Sequence, residues 1–169
     1  MRRAKIQVGD VFQVPLNEQL TAYGQVVGTY LTAYYYAFFE STSAPEDVVL
    51  PEAVVKSEVT LLGLSLDAAL FHERWRIIGN APVSPAVHLP AYKVVVGTPN
   101  NVVIEDYSAK RTRPATQREM ESLTHRTIVS SAVLENALRA THGLEPWIEA
   151  FDHLKPNEER AAVRFFPPE

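Results

Sequence analysis

The chain has 169 residues, 46% hydrophobic and 21% charged, with 16 basic against 20 acidic side chains and a formal charge of −4. That length predicts one domain over 1–169 with a sizeable core, and the mild acidity argues against direct nucleic-acid binding, which rests on basic groups meeting phosphates. No apolar run approaches the ~20 residues of a membrane helix, the absence of cysteine excludes disulfides and thiolate metal sites, and the basic start MRRAKIQVGD has no apolar segment behind it, so no secretory signal and a cytoplasmic location are expected.

Gly9-Asp10 is a turn dipeptide, after which Phe12, Val14 and Leu16 alternate with Val11, Gln13 and Pro15, the period of a half-buried strand. Pro15 suits a strand at a sheet edge. Asn17 to Thr21 is a polar loop. Tyr23, Gln25 and Val27 then alternate with Gly24, Val26 and Gly28 in a second strand. Its two glycines share one face, where they make room for a bulky neighbour or let the sheet coil. Leu31 to Phe39 is apolar or aromatic on both faces, with Thr32 its only polar side chain. Such a strand must be covered on each side and belongs at the centre of a sheet. Its aromatics are core rather than a base-stacking platform, which would need interleaved Lys or Arg; from Gly9 onward none occurs before Lys56.

Ser41 to Glu52 is a loop with two prolines and three carboxylates. Val55, Val59 and Leu61 alternate with Lys56, Glu58 and Thr60 in a strand with one wet face. Asp67 to Glu73 forms a short helical turn capped by Ser65 or Asp67, and Arg74 to Asn80 a short strand ending in a turn. Pro82, Pro85 and Pro90 make an extended connector. Ala91 to Val96 and Val102 to Tyr107 form a hairpin about the turn Gly97 to Asn101.

Past Lys110 the period changes from two to 3.6. Helices are expected over 116–126, opened by the capping-box pair Thr116 and Glu119, over 131–142, capped by Ser131 and stopped by Gly143, and over 146–154, with Pro146 at its first position. Phe165-Phe166-Pro167-Pro168 is a docked strand or a loose tail. The expected fold class is α+β: a bent antiparallel sheet or small SH3-like barrel over 9–107, with helices in the C-terminal third.

Three motifs in order carry a resemblance: Gly9-Asp10-Val11-Phe12-Gln13-Val14-Pro15-Leu16, then Tyr23-Gly24-Gln25-Val26, then Arg74-Trp75 with Ile77-Ile78-Gly79-Asn80. Arg113-Pro114-Ala115-Thr116 follows at a helix start. Together they resemble the immunity protein 26 family over about Gly9 to Leu138. Glu73 and Arg76 depart from it, where a small residue and a proline are expected beside Arg74-Trp75. The resemblance implies a small bacterial protein, encoded beside a polymorphic toxin, that neutralises the toxin by direct binding. Gly9, Asp10, Tyr23, Gly24, Trp75 and Gly79 are then the structural motif residues.

No catalytic constellation stands out. The five histidines (His72, His88, His125, His142, His153) have no i, i+3 or i, i+4 partner among themselves, Ser130-Ser131 lacks a GxSxG context, and Gly24 and Gly28 lack the GxGxxG form. No metal, no cofactor and no enzymatic activity are expected. The partner-binding candidates are Glu40, Glu46, Asp47 and Glu52, an acidic loop region suited to a basic partner such as a nuclease toxin domain. Arg74 and Arg76 join them, on the strand face opposite Trp75. The alternative is a small-barrel adaptor that takes a peptide or other ligand at an exposed sheet edge.

Overall fold

The structure, a computed structural model, describes residues 5–168. The first four residues, and the reading of that basic start, lie outside it. The alternating apolar positions build an antiparallel meander of β1 (Asp10–Pro15), β2 (Thr21–Tyr30) and β3 (Ala33–Ser43). A fourth strand, β4 (Val59–Ser65), pairs with β3, and β5 (Arg76–Asn80) pairs with β1. The order is β4-β3-β2-β1-β5. The bent sheet is therefore present but open, with β4 and β5 as its edges, and no barrel closes. Bulges at Val11/Phe12, Ala22/Gly24, Val26/Gly28 and Phe38/Phe39 supply the bend.

Those bulges correct the reading of the glycines. A methyl group on Gly24 would lie 2.5 Å from Phe12 Cζ, whereas one on Gly28 would lie 2.7 Å from Leu89 Cδ1 and 3.4 Å from Tyr35 Cδ2. Phe12 and Tyr35 belong to clusters on opposite sides of the sheet. The extra residue at the second bulge turns Gly28 to the other face. Leu31 and Thr32 are also not strand: they form the two-residue turn joining Tyr30 to Ala33. Leu31 has φ 51° and is 85% exposed. Pro15 is not on an edge strand either, since β1 lies between β2 and β5. It is tolerated because β5 pairs only as far as Gln13 and leaves Pro15 with one neighbour.

Both faces of β3 are covered, as its composition requires. On one face Tyr36 and Phe38 pack with Phe12, Trp75, Leu134, Leu138 and Leu154. On the other, Tyr35, Ala37 and Phe39 pack with Val11, Tyr23, Val54 and Ala81. Trp75 thus stands on a sheet face rather than at a barrel end.

The acidic loop is shorter than expected. Ser41 to Ser43 extend β3, and Pro51 and Glu52 open a short helix, α1 (Pro51–Val54). Val55 caps α1 and the strand begins only at Val59. It also lacks the expected wet face, since its positions are half-buried or buried throughout. After the turn α2 (Ala68–Phe71), for which Asp67 is the N-cap without a side-chain bond, the predicted hairpin is β6 (Tyr92–Val95) and β7 (Val102–Glu105). It belongs to a second sheet completed by β8 (Thr112–Pro114), so the single sheet over 9–107 is two.

The capping box is present at α3 (Gln117–Ser122), where Thr116 Oγ1 accepts from the Glu119 amide. Arg113 donates to Glu119 Oε1 at 2.9 Å and holds that carboxyl below its ordinary range. The helix ends four residues before 126, because Leu123 turns to extended backbone and is buried. α4 (Ser131–Thr141) is capped by Ser130, not Ser131, and the positive φ of Gly143 follows its end. Pro146 starts no α-helix; Glu149–Leu154 is a 3-10 turn. The tail docks through two further 3-10 turns rather than a strand, with Phe166 buried against the cluster of Ile104 and Leu123.

Candidate functional site

The motif residues hold two junctions. At the first, Gly9 adopts φ 100°, and a methyl group there would lie 2.8 Å from the Asn80 side chain. Asn80 Nδ2 donates to Asp10 Oδ1 at 3.1 Å. Gln25 Nε2 donates to Ala81 O at 2.8 Å and Gly9 O at 3.2 Å, while Gln25 Oε1 is buried without a partner among the described residues. At the second junction Gly24 admits the Phe12 ring, which stacks on Trp75 at 5.1 Å between centroids with the planes 3° apart. Trp75 meets Tyr36 and Phe38 edge-on and donates Nε1 to Glu135 Oε1 at 2.9 Å.

Two motif residues also anchor the acidic loop. The Tyr23 hydroxyl hydrogen-bonds Ser43 Oγ at 2.6 Å, at the end of β3. At the far end Gly79 receives the ring of Pro51: a methyl group on Gly79 would lie 2.6 Å from Pro51 Cγ. Between the anchors the loop closes on itself, with Asp47 Oδ2 accepting from the Ala44 amide and the Asp47 amide donating to Ala44 O. Val49 tucks against the core, while Val48 is 93% and Leu50 64% exposed. Glu46 and Asp47 are exposed beside them, and Glu52 lies in the first turn of α1. The loop therefore presents two apolar side chains framed by carboxylates on a braced scaffold. Sequence reading found the carboxylates and passed over Val48 and Leu50. The run Asp47-Val48-Val49-Leu50, apolar within an acidic loop, was the available signal.

The other candidates fall elsewhere. Glu40 is exposed on β3, and its carboxylate acts on His142, whose ring burial holds below its ordinary value. Arg74 serves its own chain, donating to Ser131 Oγ at 2.6 Å and lying 3.7 Å from Glu135. Arg76 is exposed on β5, and its side chain makes no hydrogen bond or ion pair among the described residues. The structure thus separates Arg74 from Arg76 in role, and sets Glu40 apart from the loop.

A family model described as immunity protein 26 matches residues 7–99, more than half of the chain. The chain belongs to the immunity protein 26 family. All three motifs lie inside the match; Arg113 to Thr116 lies outside it, so the likeness ends some forty residues before the expected Leu138. Neither the curated proteins nor the solved structures hold a match to this chain. No helix among the described residues is long and apolar enough to cross a membrane, and no group of three or more His, Asp or Glu residues among them is placed to hold a metal ion.

One structural centre had no sequence signal. Arg126 lies between the rings of Tyr30 and Tyr92, 3.9 and 4.5 Å from their centroids. It pairs with Glu105 at 2.7 Å and donates to Asp106 O and Tyr107 O, while Nε has no partner among the described residues. Tyr35 donates to the same Tyr107 carbonyl at 2.8 Å, and burial pushes its hydroxyl above the usual value. This cluster ties the two sheets together.

Proposed function

We propose that this family member is a bacterial immunity protein that neutralises a cognate toxin by direct, non-catalytic binding, with the loop between Ser43 and Pro51 as its contact surface. The observation that carries this reading is the bracing of that loop. Residues of the family motifs fix both of its ends, and its tip exposes Val48 and Leu50 among Glu46, Asp47 and Glu52. Binding residues concentrate on loops held by rigid scaffolds. Apolar centres with a charged rim are the usual anatomy of a protein interface. The carboxylates favour a basic partner, such as a nuclease domain, and steer its approach.

Co-expression with the toxins encoded nearby tests the role. Rescue from one toxin and not from others is expected, and a toxin that still kills at excess of this protein overturns it. The surface is tested by Glu46→Lys with Asp47→Lys, which loses the exposed bond from the Ala44 amide to Asp47 and changes stability by about 1 kcal/mol or less. Association then slows, by a factor that shrinks as salt is raised. An unchanged rate at low salt removes the loop from the interface.

A second reading, a peptide-binding adaptor, draws on β5, an edge strand with Arg76 and Ile77 exposed. A gene neighbourhood without any toxin favours it.

A further inference from the structure

Between the two sheets lies a second surface of opposite character. A cleft of about 300 Å³ opens between β4 of the first sheet and β6 of the second, walled by side chains of the 124–127 segment and of the stretch from His153 to Arg160, where Glu158 and Glu159 do not line it. Its floor is apolar, made by Leu62, Leu64, Pro90, Tyr92 and Leu154. Every charged or imidazole side chain lining it is a base: His88, His125, His153, Lys155 and Arg160, with no carboxylate among them. In a chain of net charge −4 that segregation singles out the cleft.

These bases differ in how far the protein already uses them. Lys155 lies 3.5 Å from Asp152 and over the Trp147 ring, and His125 Nδ1 is held at 3.1 Å from Lys93 O. The side chains of His88, His153 and Arg160 have no hydrogen-bond or ion-pair partner among the described residues. Donors left uncommitted around an apolar floor recognise a group that is negative at one end and apolar at the other.

We propose that this cleft binds an organic anion, a carboxylate or phosphate, carrying a compact apolar body of about one ring. The volume is at the lower end of the range of ligand pockets, roughly 300–1,000 Å³, which limits the body to that size. The apolar body lies on Leu62, Leu64 and Tyr92, and the anion meets Arg160 and His153, with Thr124, Thr127 and Asn157 as neutral partners. An adjoining cleft shares Leu62, His88 and Asn157 but carries two carboxylates, Glu58 and Glu158, against one further base, Lys56. Those carboxylates direct the negative end away from that side. Four of the five bases lie outside the family-matched residues 7–99, so the site belongs to this chain's C-terminal part and stands apart from the toxin reading.

Amide-resolved NMR titration of the full chain tests it, with phenyl phosphate and benzoate as the free anions and benzyl alcohol as their uncharged counterpart. A short peptide ending in a phenylalanine carboxylate presents the same chemistry borne by a protein, and whichever binds tighter names the source. Saturable shifts at Leu62, Leu64, His153 and Arg160 are expected for the anions, weakening with salt. The pair His153→Gln with Arg160→Gln lowers affinity about tenfold or more, the loss of one to two charge-assisted hydrogen bonds. Arg164→Gln, a base outside the cleft, leaves it unchanged. Equal binding of benzyl alcohol, no loss in the paired variant, or no saturable shift in the cleft overturns the proposal.

Discussion

Replacing Trp75 by alanine tests whether the Arg74-Trp75 motif is a core or an interface. The indole is 1% exposed and stacked on Phe12, with Tyr36 and Phe38 meeting it edge-on at 5.4 and 5.6 Å. Emptying a buried aromatic site costs ~3–5 kcal/mol. Here the surrounding rings sit on paired strands beneath α4, so the cavity collapses poorly and the upper half of that range is expected. The lost bond from Nε1 to Glu135 adds only about 1 kcal/mol, because Arg74 and Arg139 remain near that carboxylate. Trp75→Phe keeps most of the stack and should cost about 1–2 kcal/mol, from the lost hydrogen bond and part of the ring area. Urea unfolding followed by circular dichroism reads both, with the slope unchanged if only the native state is affected. If Trp75→Ala stays within about 1 kcal/mol of the parent yet abolishes partner binding, the indole is an interface anchor and the packing account fails.

Arg126→Ala leaves Glu105 buried without its cation and should cost roughly 3–5 kcal/mol, whereas Arg126→Leu with Glu105→Leu recovers much of it; equal losses in the two variants refute the pairing. Gly79→Ala puts a methyl group 2.6 Å from the Pro51 ring, so α1 must move, at ~1–3 kcal/mol. Faster amide exchange at residues 44–50 is the specific readout, and unchanged exchange there disproves the anchoring. The half-buried His142 imidazole has its pKa lowered by burial, opposed by Glu40. The unfolded chain therefore takes up the proton first, and this contribution to stability is present above about pH 6.5 and lost as pH falls through the lower folded value. His142→Gln should flatten the fall in melting temperature on acidification, and an unchanged slope would show that the ring is not the cause.

Period and composition made most of the sheet readable. The alternation from Val11 to Val27 and the two-faced apolar run ending at Phe39 placed β1, β2 and β3 because a covered strand has no other way to hide both faces. What failed was local. The Leu31-Thr32 turn contains neither glycine nor asparagine, so nothing marks it, and the left-handed backbone at Leu31 is imposed by the pairing of Tyr30 with Ala33. The bulge that reverses Gly28 is likewise set by tertiary packing. Ser130 and Ser131 are chemically equal as caps, and only geometry chooses the first. The loop's carboxylates were legible as charge. The separation of Arg74 from Arg76 was not, since it depends on α4 bringing Ser131 and Glu135 to one of them.

The extent of the family match divides the molecule by role. Residues 7–99 hold all five strands of the first sheet, both anchors of the acidic loop and the cover of one face. The other face, with Phe12, Tyr36, Phe38 and Trp75, is closed by Leu134, Ala137 and Leu138 of α4 and by Leu154, all beyond the match. The shared segment therefore cannot bury its own aromatic face and depends on a cover that lies outside it. The loop tip has the opposite freedom. Glu46, Val48 and Leu50 are exposed and make no side-chain hydrogen bond among the described residues, so their identity can change without disturbing Tyr23, Gly79 or the strands they anchor. On the binding role proposed above, a braced loop with an exposed tip would let one fold meet different partners, with discrimination set at the tip and stability beneath it.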